Sequence, residues 1–149
     1  CSDCILAEMP TAYLTRTVQF SAAHRYFRPE WSAVRNVEVF GACAAEHGHG
    51  HTYLCRVTVK GTPDHETGMI VDVAALDRIL EEEVVQRLDH KHLNYDVPEF
   101  AYGRTVPTGE ALCLDIWSRV ALRLPAGCAL AAVRVQEEPA LYAEYRGEE

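Results

Sequence analysis

Between Thr52 and Lys60 the chain reads TYLCRVTVK, so Tyr53, Cys55, Val57 and Val59 share one side of any extended backbone while polar residues fill much of the other. That period of two is the pattern of a strand burying one face, and a half-buried strand needs both sheet neighbours and a covering layer. Tyr13 to Ala23 (YLTRTVQFSAA) is rich in Thr, Val and aromatics and reads as a second strand. Pro29 to Val39 is irregular, a short helix or loop around Trp31, and Gly61-Thr-Pro-Asp breaks the run that precedes it. Asp72 then caps a helix in which Val73, Leu76, Leu80, Val84 and Leu88 recur at helical spacing. Asn94 to Gly103 reads as a loop. Thr108 caps a second helix carrying Leu112, Ile116 and Val120 and stopped by Pro125 and Gly127. Ala129–Gln136 and Leu141–Arg146 read as two strands joined by a turn at Glu137-Glu138-Pro139. The order strand, strand, helix, helix, strand, strand predicts an α+β fold, a four-stranded antiparallel sheet with two helices on one face. Its open edges predict an oligomer that joins sheets edge to edge.

The chain has 149 residues, enough for one domain over 1–149 that buries about 68% of its unfolded surface; residues 1–10 read as a flexible tail. An excess of 22 acidic over 14 basic residues, net charge −8, argues against a nucleic-acid partner. No apolar run, Cys128 to Val133 being among the longest, reaches the roughly 18 residues of a membrane span. The N-terminus lacks the pattern of a secretion signal, and six irregularly spaced cysteines do not make a disulfide scaffold, so the expected setting is cytoplasmic. Cys1 and Cys4 form a lone C-x-x-C, a weak zinc signal.

His47, His49 and His51 fall within five residues. Positions two apart share a face when extended, so His49 and His51 can reach one ion, with Gly48 and Gly50 keeping the backbone slim. His24, ending Phe20-Ser-Ala-Ala-His, is the best third ligand, and three imidazoles suit Zn²⁺ with a fourth position left open. The competing reading is an exposed polar loop with incidental histidines. Cys43 lies six positions before His49 in a loop of small residues: beside a dication its thiol is a base or nucleophile, otherwise a small buried hydrophobe. Asp89 next to His90 can orient the imidazole for proton transfer, or the two simply end a solvated helix. Glu110 sits at a helix start and Glu137 at a strand end, where carboxylates also occur for purely structural reasons.

Taken together, Phe20-Ser-Ala-Ala-His-Arg, Phe40-Gly-Ala-Cys followed by Gly48-His-Gly-His, Thr67-Gly-Met, Leu88-Asp-His-Lys, Pro107-Thr-Gly-Glu, Val135-Gln-Glu and Tyr145-Arg-Gly-Glu resemble the 6-pyruvoyltetrahydropterin synthase family. The match runs in order from about Tyr13 to Glu148. The resemblance implies a tunnelling fold in which three subunits close a barrel and two rings stack into a homohexamer, with sites at subunit interfaces. It implies zinc on His24, His49 and His51, Cys43 as the proton-abstracting base, and Asp89 with His90 as a relay. It also implies Glu137 as pterin anchor, and Glu110 with Thr108 as a second pterin contact. The implied reaction is that of a lyase converting 7,8-dihydroneopterin triphosphate to 6-pyruvoyltetrahydropterin with loss of triphosphate.

The sequence departs from that pattern in places. Ala44 to Gly48 stands where relatives are rich in Asn, and Thr52 and Ala111 stand where Asn is common. Glu46, three positions before His49, resembles the folate branch that cleaves the side chain to 6-hydroxymethyl-7,8-dihydropterin. Both Cys43 and Glu46 can therefore serve as base, although Glu46 also reads as an exposed loop charge. A third branch, 6-carboxytetrahydropterin synthase of queuosine synthesis, has a shorter gap than the six positions from Cys43 to His49. The alternative outside catalysis is a zinc-stabilised pterin-binding module with Cys43 or His47 closing the metal site. A triphosphate on an acidic protein needs a local basic patch; Arg16, Arg25, Arg28 and Lys91 are the candidates.

Overall fold

A computed structural model describes residues 9–148; Cys1, Cys4 and most of the tail expected over 1–10 lie outside them. Five strands form the sheet, β1 (Ala12–His24), β2 (His49–Gly61), β3 (Lys91–His92), β4 (Cys128–Glu138) and β5 (Leu141–Tyr145), in the order β3-β1-β2-β4-β5. β1 and β2 pair antiparallel along their whole length, from Ala12 opposite Gly61 to His24 opposite His49. β4 joins β2 antiparallel with a register shift between Thr58 and Val59, and β5 joins β4 antiparallel. The expected four-stranded antiparallel sheet is thus corrected by one strand, and that strand is parallel: β3 pairs with β1 through Ala22–Lys91 and Ala23–His92. Two residues carry no periodicity, which is why pattern alone does not reveal it.

Asp72 accepts from the Ala74 N–H at the start of α2 (Val73–Leu80), and Thr108 accepts from the Ala111 N–H at the start of α5 (Gly109–Ala121), so both expected caps are present. The first helix does not run straight through. After α2 the chain makes one π turn over Glu81–Val85 and resumes as α3 (Gln86–Leu88). The buried stripe Leu76, Leu80, Val84, Leu88 repeats every four residues, and on an ideal helix of 3.6 residues per turn it would drift by about 40° at each step. A wider π turn takes up that drift and keeps Val84 and Leu88 facing the sheet. The segments expected to be irregular contain the short helices α1 (Ala33–Phe40) and α4 (Leu93–Asp96) and a 3₁₀ turn over Pro98–Phe100. None of the described helices is long and apolar enough to cross a membrane.

The helices cover one face of the sheet, where Phe20, Tyr53, Cys55, Val57, Val59, Val133 and Val135 meet Leu76, Leu80, Leu112, Ile116 and Val120 in one core. The other face is polar: Thr15 and Thr58 hydroxyls hydrogen-bond at 2.7 Å and Arg56 donates to Gln136. Along β1 and β2 the covered face runs from aliphatic side chains through the stacked rings of Phe20 and Tyr53, 4.7 Å apart, into three histidines. The core therefore ends in a polar cluster, and the strand register puts it there.

Candidate metal centre and its surroundings

His24 faces His49 across the last rung of β1 and β2, and His51 faces Ala22 one repeat earlier. All three imidazoles consequently project from the covered face, and one ligand atom from each lies within 4.8 Å of the others. The Nε2 atoms of His24 and His49 are 3.2 Å apart, a separation suited to two nitrogens each about 2.0–2.1 Å from one tetrahedral ion. His24 is fully buried, and its Nδ1 lies 2.9 Å from the Tyr53 hydroxyl. With Nδ1–H donating to that oxygen, the Nε2 lone pair is aimed at the cluster. Burial, and then the proximity of His49 and His51, lower the His24 pKa to about 3, so the ring is neutral and available as a ligand. His51 Nε2 is buried and has no hydrogen-bond partner among the described residues. A convergent set of three imidazoles with an orphaned nitrogen fits Zn²⁺, which accepts three protein ligands and one further ligand. The turn before β2 is built for close approach: Gly48 has φ +69°, and a Cβ there would lie 2.5 Å from the His24 carbonyl oxygen.

Cys43 sits half-buried in a 3₁₀ turn over Gly41–Ala44. Two hydrogen bonds strap that turn to the chain leaving β1, from Tyr26 N–H to the Cys43 carbonyl (2.8 Å) and from Arg25 Nε to the Ala44 carbonyl (2.9 Å). Burial, and next the charge of Glu137, push the Cys43 thiol up. Glu137 is itself buried, with Tyr26 donating its hydroxyl to Oε1 at 3.1 Å and His51 Nε2 3.9 Å from Oε2. The carboxylate opens onto a pocket of about 250 Å³ lined by Tyr26, Thr108, Gly109, Glu110, Glu137 and Tyr142. The expected substrate-contact residues Thr108, Glu110 and Glu137 are therefore brought together.

Asp89 and His90 also pair, His90 Nδ1 lying 2.9 Å from Asp89 Oδ2. Asp89 Oδ1 accepts from the Ser21 N–H at 2.8 Å, the chief reason its pKa is lowered, and the His90 N–H donates to the Ser21 carbonyl at 2.7 Å. His90 has φ +59°, among the described residues the one non-glycine in the left-handed region, a conformation retained where the surroundings over-determine it. Its side chain is 85% exposed, and it lines an open cleft with Ser21, His51, Thr52, Lys91 and His92. Within one chain no hydrogen bond links this pair to Cys43 among the described residues. Glu46 and His47 are exposed in the turn before β2, with no hydrogen bond or ion pair among the described residues. Of the four basic candidates, Arg16 is paired with Asp77, Arg28 with Glu30, and Arg25 with the Ala44 carbonyl. Lys91 makes no ion pair among the described residues and lines the open cleft.

Three residues of the site go unmarked by sequence reasoning. Tyr53 and Tyr26 contact His24, and buried Asn94 clamps Arg25 by accepting from its N–H (2.7 Å) and donating to its carbonyl (3.0 Å). Tyr53 carries a usable signal, since it continues the alternate positions of His49 and His51; Tyr26 and Asn94 carry none.

Comparison with known proteins follows the same outline. A family model described as 6-pyruvoyl tetrahydropterin synthase matches residues 13–148. A Drosophila melanogaster protein named 6-pyruvoyl tetrahydrobiopterin synthase is 41% identical over 142 residues, covering 95% of this chain and 83% of that protein. The human protein of that name is 40% identical over 137 residues, with 92% of each chain covered. The solved Caenorhabditis elegans 6-pyruvoyl tetrahydropterin synthase superposes with a TM-score of 0.86 at 32% identity, covering 94% of this chain and 98% of that one.

Proposed function

The chain belongs to the 6-pyruvoyl tetrahydropterin synthase family, and from that premise we propose that it is a zinc-dependent lyase converting 7,8-dihydroneopterin triphosphate to 6-pyruvoyltetrahydropterin and triphosphate. The observation that carries this reading is the convergence of His24, His49 and His51 close to the Glu137 carboxylate, which opens onto a pocket. His24, His49 and His51 would hold the zinc, which when bound would supply Lewis acidity toward the substrate's side-chain hydroxyls and so make the hydrogens on their carbons more acidic. Cys43, half-buried in its 3₁₀ turn, is the base that removes such a proton. Asp89 holds the His90 ring for the onward proton transfer. Glu137 accepts paired N–H bonds from the pterin's 2-amino and N3 positions, with Glu110 and the Thr108 hydroxyl alongside. Oxidation of the side chain balances reduction of the ring, so no redox cofactor is required.

The exposure of His90 supports a site shared between copies. Along β1, β3 covers Ala22 and Ala23, and β5 forms the opposite margin of the sheet. We propose that these margins join in a barrel of three chains, doubled into a homohexamer, so that the relay of one copy serves the thiol of another.

Mass spectrometry of the products formed from 7,8-dihydroneopterin triphosphate by the zinc-loaded protein tests the reading. 6-Pyruvoyltetrahydropterin is the expected product. 6-Hydroxymethyl-7,8-dihydropterin, abolished by Glu46→Ala, would assign the chain to the cleavage branch; 6-carboxytetrahydropterin would assign it to the third; and absence of turnover would leave a binding module.

A further inference from the structure

We propose that Tyr26 sets the plane of the Glu137 carboxylate and is thereby a positioning residue for pterin binding, an inference that rests on Glu137 being the pterin anchor. Tyr26 is fixed at both ends. Its backbone N–H donates to the Cys43 carbonyl at 2.8 Å, and its ring is tilted against His24 at 4.7 Å and set edge-on to Phe40 at 5.9 Å. From that fixed frame the phenol O–H donates to Glu137 Oε1 at 3.1 Å. The last torsion of a glutamate is broad and weakly restrained by itself, so a carboxylate at a strand end would otherwise turn freely and have to be stilled on binding.

An ionised carboxylate has about four acceptor directions over its two oxygens. Tyr26 takes one on Oε1, and His51 Nε2, at 3.9 Å from Oε2, is too far to take another. Gly109 borders the carboxylate, a Cβ there lying in ordinary contact with Oε1 at 3.6 Å. Acceptor capacity is therefore left on a carboxylate that lines the same pocket of about 250 Å³ as Tyr26. Two parallel acceptors in one locked plane match a planar ring edge with two adjacent N–H donors, and they reject an edge that offers a donor beside an acceptor. Tyr26 thus joins the three parts of the site in one side chain and its main chain: the thiol turn, the imidazole cluster and the anchor.

Tyr26→Phe keeps the ring packing and the bond to the Cys43 carbonyl and removes one oxygen. Its zinc content and thermal midpoint should match wild type, while affinity for 7,8-dihydroneopterin, read by fluorescence titration, should fall about tenfold. For the triphosphate, KM should rise by a similar factor and kcat should change little, a split that loss of general packing would not produce. With Glu137→Gln the effects should not add, the double variant binding about as weakly as Glu137→Gln alone. Unchanged dihydroneopterin affinity in Tyr26→Phe beside a weakened Glu137→Gln overturns this inference alone, as would full additivity. Unchanged affinity in Glu137→Gln overturns the anchor reading and this inference together.

Discussion

The three imidazoles and the Asp89–His90 pair both lie at the C-terminal end of β1, and the chain holds them in opposite ways. His24, His49 and His51 are placed by side-chain parity: a strand register brings them to one face, burial removes water from His24, and Tyr53 fixes its ring. Asp89 and His90 are placed by main chain. The N–H and carbonyl of Ser21 grip both residues, the backbone at His90 is bent into a left-handed conformation, and the imidazole is left in solvent. The first group converges within one chain, whereas the second holds its ring outward. Register makes side chains converge, and a backbone grip makes them project outward.

The sharpest way to break this contrast is His49→Ala. It should lower bound zinc from about one per chain to near none and abolish turnover; metal retained at wild-type levels would remove the triad from the account. His90→Ala, and likewise Cys43→Ala, should leave metal content and thermal midpoint unchanged while lowering kcat about 10²–10⁴-fold; loss of metal would show that the two groups are not separable. Tyr53→Phe should weaken zinc affinity about 10–100-fold in a chelator competition, because His24 loses the partner of its second nitrogen. The smallest effect concerns acid. His24 titrates near 3 when folded and near 6.5 when unfolded, so between those values the unfolded chain binds the extra proton and stability rises with pH. The thermal midpoint of metal-free protein should fall as pH is taken from about 7 to about 5, above the window in which the lowered Asp89 carboxylate begins to protonate. A flat profile there would mean that His24 is not buried as described.

Much of the site is legible in the sequence because parity is local. His49, His51 and Tyr53 declare a shared face by spacing alone, and Asp72 and Thr108 declare helix starts by type. What pairs with what is not local. That His24 meets His49 depends on a thirteen-residue register, which no single residue encodes. β3 is too short to show a period, and its parallel direction follows from where α3 delivers the chain. The role of Asn94 is equally hidden, since it acts 69 positions away on the backbone of Arg25, and an asparagine in a segment whose sequence reads as a loop advertises nothing of the kind. Val84 and Leu88 are read correctly as buried, yet the stripe hides the π turn that makes its spacing workable.

His24 and His49 occupy the terminal rung of their ladder. Strand ends are ordinarily the first part of a sheet to breathe, opening with little free energy beside that of global unfolding. Anything that clasps both rings turns this loose end into a latch, so amide deuteration in the last residues of β1 and the first of β2 becomes a gauge of occupancy that needs no substrate. A chain stripped of its ion should exchange there quickly while the middle of the same two strands stays protected.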